Sequence, residues 1–221
     1  MRPLPLLVLF ILGLILTGAL RWATRSFESM AALSGIPTPL YVALTVFVMI
    51  RLVRSPIGWG GIGFHIPFAP LRHLALGIAG AGVAMLAGEL LTPVWEALFG
   101  AGRDLSRFDE SVTTLPRLLI LLAFSWTFAA CGEELAFRGV LMRGLGTALG
   151  GDRKVLLFAW LLQAVVFGFV HLYQGPAGVA GATVSGLVFG GVVWIASGSL
   201  WPAIFAHGLS NTFGILSIYQ W

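Results

Sequence analysis

After Lys154 the chain contains no aspartate, glutamate, lysine or arginine in its remaining 67 residues. Charge is scarce before that point too: 10% of the 221 residues are charged, against 58% hydrophobic. A soluble domain carries about 25% charged residues, so this chain lacks the polar groups to cover a surface in water. Cysteine is nearly absent as well. Cys131 stands alone, which excludes an intrachain disulfide and leaves the compartment unread. The net charge of +4 comes almost entirely from arginine. In a soluble protein a pI near 10 would suggest nucleic acid. Here the arginines lie between apolar spans, where they set topology and touch anionic lipid; membrane lipid is the expected partner and nucleic acid is not.

What is present is a series of apolar stretches near bilayer-spanning length. The pattern predicts helices over about 3–20, 38–53, 71–99, 116–149, 155–173, 177–197 and 201–219, an all-α polytopic bundle of about seven membrane helices forming a single integral membrane domain over 1–221. Met1-Arg2 followed by an apolar run mimics a signal peptide, but the run is longer than the usual hydrophobic region and no small-x-small site follows; an uncleaved first helix is the reading taken. The link SPIGWGGIGFHIPFAP is rich in Gly and Pro and offers Trp59 and Phe64 to the interface. His65 and His73, in or beside it, are explained by an interfacial position. Pro116 suits a first helical turn, and Ala101–Thr114 is the one strongly polar loop. Small residues recur at four-residue intervals, as in Ala182, Gly186 and Gly190, or Gly80, Ala84 and Gly88; such stripes allow close helix packing in lipid.

Seven crossings place Arg2, Arg51, Arg54, Arg72, Arg138, Arg143, Arg153 and Lys154 on the amino-terminal side and Arg21, Arg25, Arg103, Arg107 and Arg117 on the other. The excess predicts a cytosolic amino terminus, weakened if Arg138 lies within the membrane.

One apolar span breaks the rule against charge. Ala129–Gly146 reads AACGEELAFRGVLMRGLG. An ionised residue at mid-membrane costs about 2.5–3.5 kcal/mol on insertion scales, so Glu133, Glu134 and Arg138 together would cost on the order of 8–10 kcal/mol. Pairing or a wet cavity can offset this. Glu134 and Arg138 are spaced i,i+4 and share a face; Glu133 points about 100° away and is the carboxyl left for chemistry, suited to a general base. The competing reading is that these charges end the helix at the membrane surface, with Gly139 and Gly144 marking its end. Glu89 also falls inside an apolar helix with no charged residue at i±3 or i±4; it is either protonated or reaches a cavity.

The charge-free tail holds His171 and His207, each on an expected membrane helix. Phe167 and His171 are i,i+4, and so are His207 and Asn211. Each histidine alone reads as a satisfied interior residue. Two histidines, an asparagine, two glutamates and an arginine across three helices read as a functional site. Glu and His around a water can deprotonate it for attack on a carbonyl, and His and Asn can stabilise the oxyanion. Alternatively, Glu133, His171 and His207 form a His₂Glu zinc site, although HExxH is absent. Cys131 as a thiolate nucleophile would need a positive neighbourhood, and two adjacent glutamates oppose that.

The ordered set Glu133-Glu134-x-x-x-Arg138, Phe167-x-x-x-His171 and His207-x-x-x-Asn211 resembles the CPBP family of CaaX proteases and bacteriocin-processing or immunity-associated proteins, also called ABI. The resemblance covers about 116–221. It implies a glutamate-type intramembrane endopeptidase in a prokaryotic cell membrane, acting on a peptide or lipid-modified protein with no cofactor. Carried over, Glu133 matches the glutamate that activates water with help from His171, His207 and Asn211 match oxyanion donors, and Glu134 and Arg138 match residues that orient the site. A zinc-dependent membrane protease and a non-catalytic scaffold or immunity factor on the same fold are the alternatives.

Overall fold

A computed structural model describes residues 3–64, 69–106, 108 and 112–219. His65 falls outside the described residues. Among them there are helices and no strands. The seven main helices are α1 (Pro3–Ser26), α2 (Pro37–Val53), α3 (Pro70–Phe99), α4 (Leu115–Ala148), α5 (Arg153–Val170), α6 (Gly175–Ile195) and α7 (Trp201–Ile218). Short turns of helix at Glu28–Leu33, Gly58–Gly61 and Leu172–Gln174 fill the connections.

Boundaries follow local chemistry. The helices α2, α3, α4, α6 and α7 carry proline in the first turn, where the missing N–H would have no helical partner anyway. The Asp152 side chain accepts from the Val155 N–H and caps α5. Gly100 ends α3 at φ +75°, a conformation that favours glycine. The largest boundary difference from the sequence reading is in α1, which continues to Ser26 instead of stopping at Leu20. The extra turns carry Arg21 and Arg25, which stay helical because each finds a partner, Arg21 at the Thr38 hydroxyl (3.2 Å) and Arg25 at Asp104 (3.2 Å).

Five helices are long and apolar enough to cross a membrane: α1, α3, α4, α5 and the run of α6 with its preceding turn. The chain is an integral membrane protein. The expected figure of about seven is approximate for physical reasons. The 17 residues of α2 are slightly short, and α7 is diluted by His207, Ser210, Asn211 and Thr212.

Two close helix pairs shape the interior. α3 lies along α7, where a Cβ on Gly77 would come within 2.5 Å of Phe205 and one on Gly80 within 3.1 Å of Ala206. α5 lies along α6, where a Cβ on Gly186 would sit 2.9 Å from the Ala164 Cα. Glycine permits both approaches, as the small-residue stripes predicted. The stripes are not uniform, since Gly88 and Gly181 have no neighbour within 4 Å of a built Cβ. At the end of the bundle where α2 finishes, Arg143 donates to the Gly61 and Gly60 carbonyls, while the Leu200 N–H donates to Gly63. Phe64 stacks on Trp201 there, 5.4 Å between centroids. His73, read as interfacial, is buried on the first turn of α3. Glu89 is exposed on the outside of α3 and does not join the charged cluster.

Candidate active site

α4 carries both glutamates through the middle of the bundle as one continuous helix of 34 residues. The charges therefore do not mark its end. Its turns widen to the π type over Ser125–Glu133 and Leu135–Gly144. Wider turns narrow the angle between successive side chains below the about 100° of an α-helix, so Glu133 and Glu134 turn toward neighbouring sectors.

Glu134 and Arg138 are fully buried and paired at 2.9 Å. The pair is locked from several directions. Arg138 lies over the Phe167 ring at 4.5 Å and the Phe189 ring at 5.4 Å, and its second terminal nitrogen donates to the Gly186 carbonyl at 3.3 Å. Gln163 donates to the same carbonyl at 2.9 Å. Desolvating a guanidinium is tolerable only when carboxylate, carbonyl and aromatic faces replace its water. Here α5 and α6 supply the last two.

His207 joins α7 to this cluster. Its Nδ1 lies 2.8 Å from the same Glu134 oxygen that Arg138 contacts. A carboxylate only accepts, so Nδ1 donates and Nε2 is left facing elsewhere. Nε2 lies 3.9 Å from a Glu133 oxygen. The ring is fixed by stacking on Phe189 (5.1 Å between centroids, 22° between planes) and by the edge of Phe167 at 6.0 Å.

Glu133 is the more accessible of the two glutamates, its side chain 20% exposed against none for Glu134. It lines a narrow cleft with Thr17, Gly18, Arg21, Tyr41, Phe137 and Val170. Apart from Phe137 on α4, these residues belong to the ends of α1 and α5 and the start of α2, so the cleft lies in the half of the bundle opposite the amino terminus.

The structure places the other candidates unevenly. His171 follows the last residue of α5, and its Nδ1 donates to the Phe167 carbonyl at 2.7 Å. Nδ1 must be the donor there, which leaves a lone pair on Nε2 in the neutral ring. His171 and Glu133 are not in direct contact; the histidine nearest Glu133 is His207. Asn211 is half-buried one turn beyond His207. Cys131 is half-buried. No three His, Cys, Asp or Glu side chains among the described residues are grouped closely enough to hold a metal ion.

Several residues escaped the sequence reading. Phe189, Gln163 and the Gly186 carbonyl complete the Arg138 setting, and Arg21 and Tyr41 line the cleft. Phe167 carried a signal through its spacing to His171, and Gly186 one through its stripe of small residues. The partners from α1 and α2 carry no local pattern.

Comparison with known proteins adds a family. Residues 115–213 match the family model described as type II CAAX prenyl endopeptidase Rce1-like. No curated protein and no solved structure matches the chain. The matched stretch begins with α4 and ends within α7, and so contains the three motifs; α1 to α3, including Arg21 and Tyr41, lie outside it. Over residues 115–213 the chain is similar to that family, and the three motifs that carry the resemblance all fall within the matched stretch.

Proposed function

We propose that the protein is an intramembrane endopeptidase in which Glu133 activates the water that attacks a peptide carbonyl. The observation that carries this reading is the unequal use of two adjacent glutamates. Glu134 is consumed by Arg138 and His207 Nδ1, whereas Glu133 lines a cleft with His207 Nε2 3.9 Å away.

The chemistry follows from these positions. Glu133 takes a proton from water as the oxygen bonds to the scissile carbonyl carbon. The Nε2 lone pair of His171 accepts through one water to steady that transfer. The carbonyl oxygen becomes an oxyanion. His207, carrying a second proton, donates to it from Nε2, and the Asn211 amide donates alongside. The 3.9 Å between His207 and Glu133 exceeds a hydrogen bond, and apo sites commonly tighten when substrate arrives. Collapse of the intermediate breaks the C–N bond, and Glu133 returns its proton to the departing amine. Glu134 acts through His207: it holds the ring's orientation and tautomer.

The substrate class taken from the family description is a prenylated protein cut near its carboxyl end. The arginine excess argues for a cytosolic amino terminus. Arg138 drops out of that count because it is buried, leaving seven against five. The cleft would then face the opposite side of the membrane.

The test is cleavage of prenylated and unmodified peptides by purified protein, with Glu133→Ala as control and a strong chelator added. Cleavage that survives chelation and vanishes in the variant supports the reading. Activity lost to the chelator and restored by zinc would replace it with the metal mechanism, and activity retained by Glu133→Ala would end it.

A further inference from the structure

Arg21 shares the cleft with Glu133. It sits on α1, outside the stretch that matches the family. Its guanidinium is held by neutral groups. One nitrogen donates to the Thr38 hydroxyl at 3.2 Å, and the group lies over the Tyr173 ring, 5.1 Å from its centroid. Arg21 forms no ion pair with a carboxylate among the described residues, while Arg25, one turn on, pairs with Asp104. A guanidinium has five N–H donors in a fork that fits a carboxylate, and most of those of Arg21 are unspent.

Its support is built. Arg103 donates to the Gln174 side-chain oxygen, and Gln174 donates to the Tyr173 hydroxyl at 2.8 Å. The Asp104 N–H holds the Gln174 carbonyl at 3.1 Å. Tyr173, which lies under Arg21, is thereby fixed two residues after His171.

We infer that Arg21 binds the free carboxylate at the C-terminus of the peptide substrate, so that the cleft measures the cut from that end. The inference rests on the proteolytic reading above. A cation fixed in advance binds an anion at reduced ordering cost, and Gly18, Phe137 and Val170 give the cleft an apolar side that suits an aliphatic side chain, alongside the hydroxyl-bearing Thr17 and Tyr41. Such a cleft favours a chain terminus, because an internal segment without Asp or Glu brings no carboxylate to Arg21.

The experiment uses full-length protein in phosphatidylcholine liposomes and a farnesylated CAAX tetrapeptide, as the free acid and as the C-terminal amide. Wild-type protein should cleave the acid with kcat/KM about 10–100-fold higher, mainly through KM, the range expected for a hydrogen bond to a charged group. Arg21→Gln should cleave both peptides at the amide's rate, and Arg21→Lys should retain part of the preference. Equal cleavage of acid and amide by wild-type protein overturns the inference and leaves the protease reading intact. An effect of Arg21→Gln that appears only with phosphatidylglycerol present, and equally for both peptides, also overturns it, assigning Arg21 to lipid phosphate. Binding of the same peptides, fluorescently labelled, to Glu133→Gln protein gives a readout independent of turnover. There the acid should bind about 10–100-fold tighter. Preferential binding of the acid without cleavage by wild-type protein would sink the protease reading and sustain Arg21; no preference in binding would sink the Arg21 inference.

Discussion

Glu133 and Glu134 are joined by one peptide bond, yet their surroundings differ in kind. Glu134 is sealed inside the bundle, where it accepts from Arg138 and His207. Glu133 opens on a cleft, and its ion-pair partner among the described residues is His207 at 3.9 Å. The first arrangement suits a group that holds helices and the second a group that works on substrate. A buried ion pair repays its desolvation only when the geometry is complete; the rings of Phe167 and Phe189 and the carbonyl of Gly186 complete it here. The contrast between the two carboxylates is therefore produced by α5, α6 and α7, not by α4 alone.

Breaking the sealed side should have the largest effect on folding. Arg138→Ala leaves Glu134 charged and without its main counter-ion, a cost of about 3–5 kcal/mol. The expected result is a strongly lowered melting temperature in detergent together with lost activity. Unchanged melting would mean that the cluster is not the buried pair described here.

A smaller effect should come from moving the wall behind the pair. Gly186→Val places a Cβ 2.9 Å from the Ala164 backbone, which pushes α6 from α5 and draws the Gly186 carbonyl from Arg138. Overpacking of this kind costs about 1–3 kcal/mol. Melting should fall in that range, and combination with Arg138→Ala should be less than additive because the two sites share a partner.

The smallest effect belongs to an ion pair in water. The Ser106 hydroxyl (2.7 Å) and N–H (3.0 Å) donate to Asp104, and with Arg25 nearby they hold its carboxyl below the usual carboxylate range. A depressed folded-state pKa adds stability above the unfolded value of about 3.9, and that stability is lost as pH falls through the folded value. The side chain is 47% exposed, so solvent screening limits the contribution to about 0.5 kcal/mol or less. Asp104→Asn should melt slightly below wild type at pH 7, and the gap should close in acid below the carboxylate range. A gap as large as that of Arg138→Ala would erase the contrast between buried and exposed pairs.

Much of the fold was legible in the sequence because bilayer span, proline and glycine act locally. The starts of α2, α3 and α4 fall within one residue of their expected places, and the Glu134–Arg138 pair was visible as an i,i+4 spacing. Helix spacing was blind to contacts between helices. It gave Glu134 a single partner, whereas the Glu134 oxygen also accepts from His207 across the bundle. It did not show that His171 Nδ1 donates to the Phe167 carbonyl or that His207 Nε2 lies 3.9 Å from the Glu133 carboxyl. Arg21 looked like a charge past the end of a span. Its place in the cleft depends on Thr38 and Tyr173, on elements that nothing in α1 announces.

The division between the two glutamates is tested most directly by preparing Glu133→Gln and Glu134→Gln side by side and measuring peptide cleavage and melting temperature on the same samples. Glu133→Gln should melt like wild type and lose cleavage by a factor of about 10² or more, since its carboxylate is the proposed base. Glu134→Gln should melt well below wild type, because the amide leaves Arg138 charged and buried without its counter-ion. Two variants that melt alike, or a Glu133→Gln protein that still cleaves peptide, would contradict the account.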